Sequence, residues 1–118
     1  MRKLLASAVL AVALTLGLSA PAFASSALHT YYPSYCQIKI SGFEYYGKAA
    51  ASTRDNNGAC WQIQARLRYK DSSNNYNYLT GGVETDSYTR VTAGIATDWD
   101  RGYGRSPNLS GTWWYVQR

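Results

Sequence analysis

The chain has 118 residues and a formal net charge of +5, from 12 Lys and Arg against seven Asp and Glu. That length suits one domain, and 14% aromatic with 16% charged residues excludes a disordered or collagen-like polymer. One histidine and two cysteines are too few ligands for a His/Cys zinc centre.

The amino terminus reads as a secretory signal peptide over 1–24. Met1-Arg2-Lys3 is basic, Leu4 to Leu18 is apolar without a charge, and Ala22-Phe23-Ala24 follows Pro21 as an A-x-A cleavage site. The apolar run is shorter than the about 20 residues a membrane anchor needs, and it ends in Ser19, Pro21 and small residues. No cysteine follows the cut and no second long apolar run exists, so neither a lipid anchor nor stable membrane insertion is expected; the product should be extracellular. Cleavage leaves 25–118, in which ten basic minus seven acidic residues give +3.

Residues 25–35, Ser/Tyr-rich and holding Pro33, are expected to form a flexible arm, and 36–118 the single β domain. Cys36 and Cys60 are the expected disulfide of an exported chain; closing a loop of about 25 residues costs the unfolded state roughly 3–4 kcal/mol in the chain-entropy model. Gln37 to Ser41 reads as a short strand, with a second from Phe43 to Thr53 and a Gly-terminated turn at Arg54 to Gly58. The strongest pattern is 59–70. Trp61, Ile63, Ala65, Leu67 and Tyr69 alternate with Gln62, Gln64, Arg66, Arg68 and Lys70, which is the period of a half-buried strand and not of a helix. Cys60 falls on the polar parity of that run while Cys36 shares the parity of Ile38 and Ile40. Either the strand begins after Cys60, with a bulge turning the side chain inward, or the bridge lies on an outer face. Asp71 to Asn75 is the next turn, Tyr76 to Leu79 pairs back, and Thr80-Gly81-Gly82 breaks the chain. Val83 to Ala96 gives one or two strands, Asp98 to Gly111 a polar, Gly-rich loop, and Thr112 to Gln117 a last aromatic strand. The expected fold class is all-β, a small antiparallel sandwich or barrel with one disulfide, built on a meander over 36–70.

The basic leader, a first Cys opening a strand, a Gly/polar stretch, and a second Cys leading into an alternating strand that ends Leu67-Arg68-Tyr69 resemble the small secreted two-cysteine proteins of Gram-positive bacteria. The resemblance spans the leader and 36–70. It implies a compact extracellular β fold and carries over no catalytic residue.

Catalytic side chains are scarce. His29 lies in the expected arm, where no segment would hold it as a base. Glu84 and Asp86, and Asp98 and Asp100, are i, i+2 carboxylate pairs that share a face if extended. Such a pair has the chemistry for Ca²⁺ or for acid/base work on a sugar, and the plainest reading is a solvated strand edge. Asp55-Asn56-Asn57-Gly58 has calcium-loop composition without the spacing of an EF-hand and reads as a turn.

Aromatic excess is the main functional signal. Of the 94 residues after the leader, 16 are Trp, Tyr or Phe, more than a small core hides. Adjacent pairs Tyr45-Tyr46 and Trp113-Trp114 place one ring in and one out if extended. The expected binding residues are Trp99, Arg101, Tyr103 and Arg105 on the 98–111 loop, with whichever of Trp113 and Trp114 faces outward. Arg66, Arg68 and Lys70 line one strand face and, with Arg101 and Arg105, suit anionic wall polymers. The expected function is a secreted, non-catalytic binding module for a cell-envelope glycan or envelope protein, with no nucleic acid, no metal and no cofactor. A bacteriocin-like toxin and a carboxylate hydrolase using Asp98 and Asp100 are the alternatives.

Overall fold

The computed structural model describes residues 26–118, so the leader expected over 1–24 lies outside the described residues. Eight strands follow in order: β1 Ser26–Tyr31, β2 Ile38–Tyr45, β3 Lys48–Asp55, β4 Gln64–Lys70, β5 Tyr76–Thr80, β6 Tyr88–Ile95, β7 Asp98–Arg105 and β8 Trp114–Gln117. They form two antiparallel four-stranded sheets, β1-β2-β3-β6 and β5-β4-β7-β8, packed face to face with β7 over β2 and β3. The all-β sandwich with one disulfide is therefore as expected. The chain passes between the sheets three times, at 56–63, 81–87 and the short Ala96-Thr97 link, so 36–70 is not one meander.

Three segments differ from the sequence reading. The expected arm contains β1, whose backbone pairs with β2 from Ser26↔Phe43 to Tyr31↔Ile38; the Tyr31 hydroxyl donates to the Tyr115 carbonyl at 2.5 Å and ties this edge to β8. The expected strand break at Gly42 is absent, because β2 runs through it. The reversal comes instead at Tyr46 and Gly47, both at positive φ, 51° and 75°, as a two-residue hairpin of the twist-compatible kind requires. Third, the expected loop 98–111 begins with an eight-residue strand, β7, hydrogen-bonded on both sides.

The glycines of β7 explain that last difference. A Cβ on Gly102 would lie 2.6 Å from the Ser41 carbonyl oxygen, and one on Gly104 would lie 2.5 Å from Thr53 Oγ1. They are small so that β7 can press on the opposite sheet; they do not loosen a loop. Gly42 makes the reciprocal space, since a Cβ there would stand 2.3 Å from the Trp99 ring. The interior is otherwise built from Ile38, Ile40, Ile63, Leu67 and Val116 over the small residues Ala49 and Ala51.

The disulfide closes one end of this core. Cys36 and Cys60 are bonded and both fully buried, so the outer-face alternative is excluded. Chain geometry resolves the parity conflict: β4 starts only at Gln64, and Trp61 sits at φ 64°, which turns Cys60 inward and leaves Trp61 exposed. Trp61 is thus not a core residue. The Asp55-Asn56-Asn57-Gly58 turn positions the cysteine, its Asp55 carboxylate accepting the Gly58 and Cys60 amides at 2.8 and 3.1 Å.

Candidate binding face

Alternation along β4 and β7 sorts the expected site residues. On β7, Trp99, Gly102 and Gly104 point inward, while Arg101, Tyr103 and Arg105 point outward; a register shift opposite Arg68/Tyr69 accommodates the extra residue, Asp100. Trp99 is 1% exposed and fills the core, so it is withdrawn as a contact residue. Its recruitment into a binding loop fails because 98–105 is a strand. Trp114 is half-buried against the core, 5.0 Å from the Tyr31 ring, so it too is withdrawn; Trp113 is the member of the pair that belongs to the outer layer.

What the structure brings together is broader than a loop. The outer face of the second sheet carries Tyr76 and Tyr78 from β5, Arg66, Arg68 and Lys70 from β4, Arg101, Tyr103 and Arg105 from β7, Tyr115 from β8, and Trp113 just before it. Cross-strand register interleaves them: Lys70↔Tyr76, Arg68↔Tyr78, Arg66↔Tyr103 and Tyr103↔Tyr115. Each cation lies over a ring. Arg66 stands 4.5 Å from the Tyr78 centroid, Arg101 4.4 Å from Tyr115, Arg105 4.3 Å from Trp113, and Arg68 4.9 Å from Tyr76. Such contacts contribute about 0.5–2 kcal/mol apiece, more as they lose water. Tyr103 is the hub, its ring within 5.6–6.4 Å of Tyr78, Trp113 and Tyr115; at 8% exposed it is buried beneath the layer, so contrary to expectation it supports the other rings and offers little surface of its own.

Polar contacts fix most of these cations. Arg68 donates from Nε to Asp100 Oδ2 at 2.6 Å and forms an ion pair with the same carboxylate. This pair answers a local problem, since Arg68 lies directly opposite Arg101 and like charges facing each other destabilise a sheet. Arg101 donates to Gln117 Oε1 at 2.5 Å and to the Tyr103 hydroxyl at 3.4 Å. Arg105 donates to Gln64 Oε1 at 2.9 Å and to the Gly111 carbonyl at 3.0 Å. Hydrogen bonds with Arg68 and then Tyr103 hold the Tyr78 phenol below its ordinary range, while burial, and then the negative charge of a nearby Tyr115 phenolate, raise that of Tyr31. Arg66 differs from its neighbours: its Nε is buried without an acceptor. A donor left so costs about 1–3 kcal/mol.

The carboxylate pairs do not assemble as expected. Glu84 and Asp86 lie in the exposed 81–87 connection rather than on a strand, where Glu84 exchanges backbone hydrogen bonds with Ile63 at 2.9 Å. Asp98 and Asp100 border a groove of about 260 Å³ with Lys70, Tyr76, Trp99 and Arg118, yet Asp100 is taken by Arg68 and by Gln117 Nε2 at 3.0 Å. Glu44, which accepts the Trp99 amide at 3.2 Å, is raised above the usual carboxylate range by burial and by Asp98, against the lowering effects of that amide and Arg118. Among the described residues no group of three His, Cys, Asp or Glu side chains is placed to hold a metal ion, and no helix is long and apolar enough to cross a membrane. His29 lies exposed on edge strand β1, its ring 4.6 Å from that of Tyr31.

Tyr76, Tyr78 and Tyr115 are the face residues missed in the sequence. The Tyr76-x-Tyr78 alternation, read with the even-numbered cations of the preceding strand, was the signal for them. The molecule is thus a disulfide-stapled β-sandwich carrying an arginine–aromatic layer on one sheet. Comparison with protein-family models, curated proteins and solved structures finds no match.

Proposed function

We propose that the protein is an exported, non-catalytic binding module that grips a cell-envelope glycan across the outer face of the second sheet. The observation that carries this reading is the continuous layer of five rings and five cations on one face of a rigid sheet. Tyr76, Tyr78 and Tyr115 are 55%, 51% and 42% exposed, an expensive surface to leave in water unless a partner covers it. Amphipathic rings held in place offer stacking area to the apolar faces of sugars at low entropic cost, and Tyr, Trp and Arg dominate interfaces generally. The disulfide suits an oxidising, extracytoplasmic setting. The opposite sheet has a shallow groove at Lys39, Ser41, Phe43 and Tyr88 and a smaller set of stacked groups, with Phe43, Tyr45 and Tyr46 in ring contact, Arg90 over Tyr45 and Arg54 over Tyr88.

Retention on purified envelope material tests the reading. Tyr78→Ala and Trp113→Ala are expected to weaken retention by about tenfold or more each while circular dichroism stays native, and Tyr88→Ala on the other sheet to leave it unchanged. Protease-stripped envelope should retain the protein as well as untreated envelope. Folded Tyr78 and Trp113 variants that bind like wild type would refute the assignment of the face, and loss of retention after protease treatment would make the partner a protein.

A further inference from the structure

Taking the reading above as its basis, we infer that the glycan is anionic, a phosphodiester-bearing polymer, and that Arg66 is the residue that receives its phosphate. Charge is unevenly distributed over the face. Its two carboxylates, Asp98 and Asp100, sit at one end, where Asp98 is opposite Lys70 and Asp100 is paired with Arg68. The other end holds Arg66 and Arg105, and Arg101 stands between, directly opposite Arg68. The side chains of Arg101 and Arg105 donate to two side-chain amides, a phenol and a backbone carbonyl, all neutral, so these bonds leave their positive charge uncompensated.

Arg66 lies between Arg101 and Arg105 on the adjacent strand. It lies opposite Tyr103, which places Arg101 and Arg105 at the two diagonal positions, about 7–8 Å away along the backbone. Among the described residues its side chain has neither a hydrogen bond nor a carboxylate partner; three rings flank it, Tyr78, Trp113 and Tyr103, at 4.5, 5.6 and 5.9 Å. Stacking fixes the guanidinium plane without using its donors, and a planar fork so held is matched to oxyanions such as phosphate. Arg101 and Arg105, spaced along the neighbouring strand on either side of Tyr103, extend the positive row in the direction a repeating polyanion would follow. The rings beside Arg66 then carry the sugar or polyol units between phosphates.

The test compares retention on purified bacterial walls before and after hydrofluoric acid removes phosphodiester-linked polymers. Wild type should be held by native walls, released by raised salt, and lost on stripped walls. Arg66→Gln should lower retention on native walls about ten- to a hundredfold, the effect of one charge-assisted contact. Arg66→Lys should fall between, and Arg90→Gln on the opposite sheet should match wild type. Equal retention on native and stripped walls would overturn the anionic ligand while leaving the glycan-binding reading intact; retention on neither would overturn both. A folded Arg66→Gln protein that binds like Arg90→Gln would remove Arg66 from the site. If Arg66→Gln fails to fold, Arg66→Lys decides the point, and wild-type retention in that variant would refute the fork contact. Stronger capture by polygalacturonate or single-stranded DNA than by native walls would replace phosphate glycan with a carboxylate polymer or nucleic acid.

Discussion

The two faces of β7 belong to one strand and answer to different physics. Its inner residues, Trp99, Gly102 and Gly104, are sized to a space: a large ring fits where Gly42 has no side chain, and two hydrogens fit where the β2 and β3 atoms come too close for a methyl group. Its outer residues, Arg101, Tyr103 and Arg105, are held by stacking and by side-chain hydrogen bonds, none of which the sandwich needs in order to close. The difference separates what maintains the fold from what is available for a partner, although the two sets alternate residue by residue.

Substitutions on the inner face should be the most damaging. Trp99→Ala removes the largest fully buried side chain and should cost about 3–5 kcal/mol, against a total of only about 5–15 kcal/mol for a small domain. Gly102→Ala should also destabilise, because its methyl group meets backbone rather than a yielding side chain. Arg101→Ala, one position away and outward, should stay within about 1 kcal/mol of wild type. Thermal melting followed by circular dichroism reads all three; equal midpoints for Trp99→Ala and Arg101→Ala would mean that the strand is inverted.

Next in size is the staple. Reduction, or replacement of Cys36 and Cys60 by serine, releases a loop with a sequence separation of 24, which should remove roughly 3–4 kcal/mol in the chain-entropy model. Denaturant midpoints with and without reductant check this. The ring layer should survive in whatever fraction remains folded, so retention per folded molecule is expected to be unchanged. A reduced protein that is fully folded but does not bind would tie the disulfide to the face instead of to the core.

Much of this architecture was legible in the residues, and what was not has specific causes. Ile63, Ala65 and Leu67 are buried as their alternation requires, and the Asp71 turn and the pairing back of Tyr76 to Leu79 are as expected, the strand running one residue further, to Thr80. Alternation failed at Trp61 because a left-handed residue ends the strand there, and period arguments assume an unbroken strand. It failed to find β7 because Gly102 and Gly104 carry no hydrophobic signal: their reason for being small lies on the opposite sheet, Ser41 and Thr53, far away in sequence. The same blindness placed the site on a loop. In the sequence Arg101, Tyr103 and Arg105 stand out by their chemistry, and the cross-strand register shows that they lie in one layer with Arg66, Arg68 and Lys70.

The smallest expected effect probes the end of the sandwich where the two faces of β7 meet. Glu44 reaches the Trp99 amide from the neighbouring sheet, and burial raises its folded-state affinity for a proton above that of the unfolded chain. The folded protein therefore binds more protons than the unfolded one across that interval, so stability declines as pH rises through the ordinary glutamate range and just above it. Glu44→Gln keeps an oxygen that can accept the Trp99 amide but cannot ionise. The variant should show a flatter stability profile over that interval and be equal to or slightly more stable than wild type at neutral pH. Asp71 works in the opposite sense. The Asn75 amide, and then the other donors of its turn, hold its carboxylate below the usual range, so its contribution is present at neutral pH and disappears only in stronger acid, as pH falls through the lowered value. Urea midpoints measured across the acidic range for wild type, Glu44→Gln and Asp71→Asn separate the two groups. If Glu44→Gln lost stability at neutral pH, the ionised carboxylate would be supporting Trp99 rather than tolerating burial, and the junction between core and face would depend on that charge.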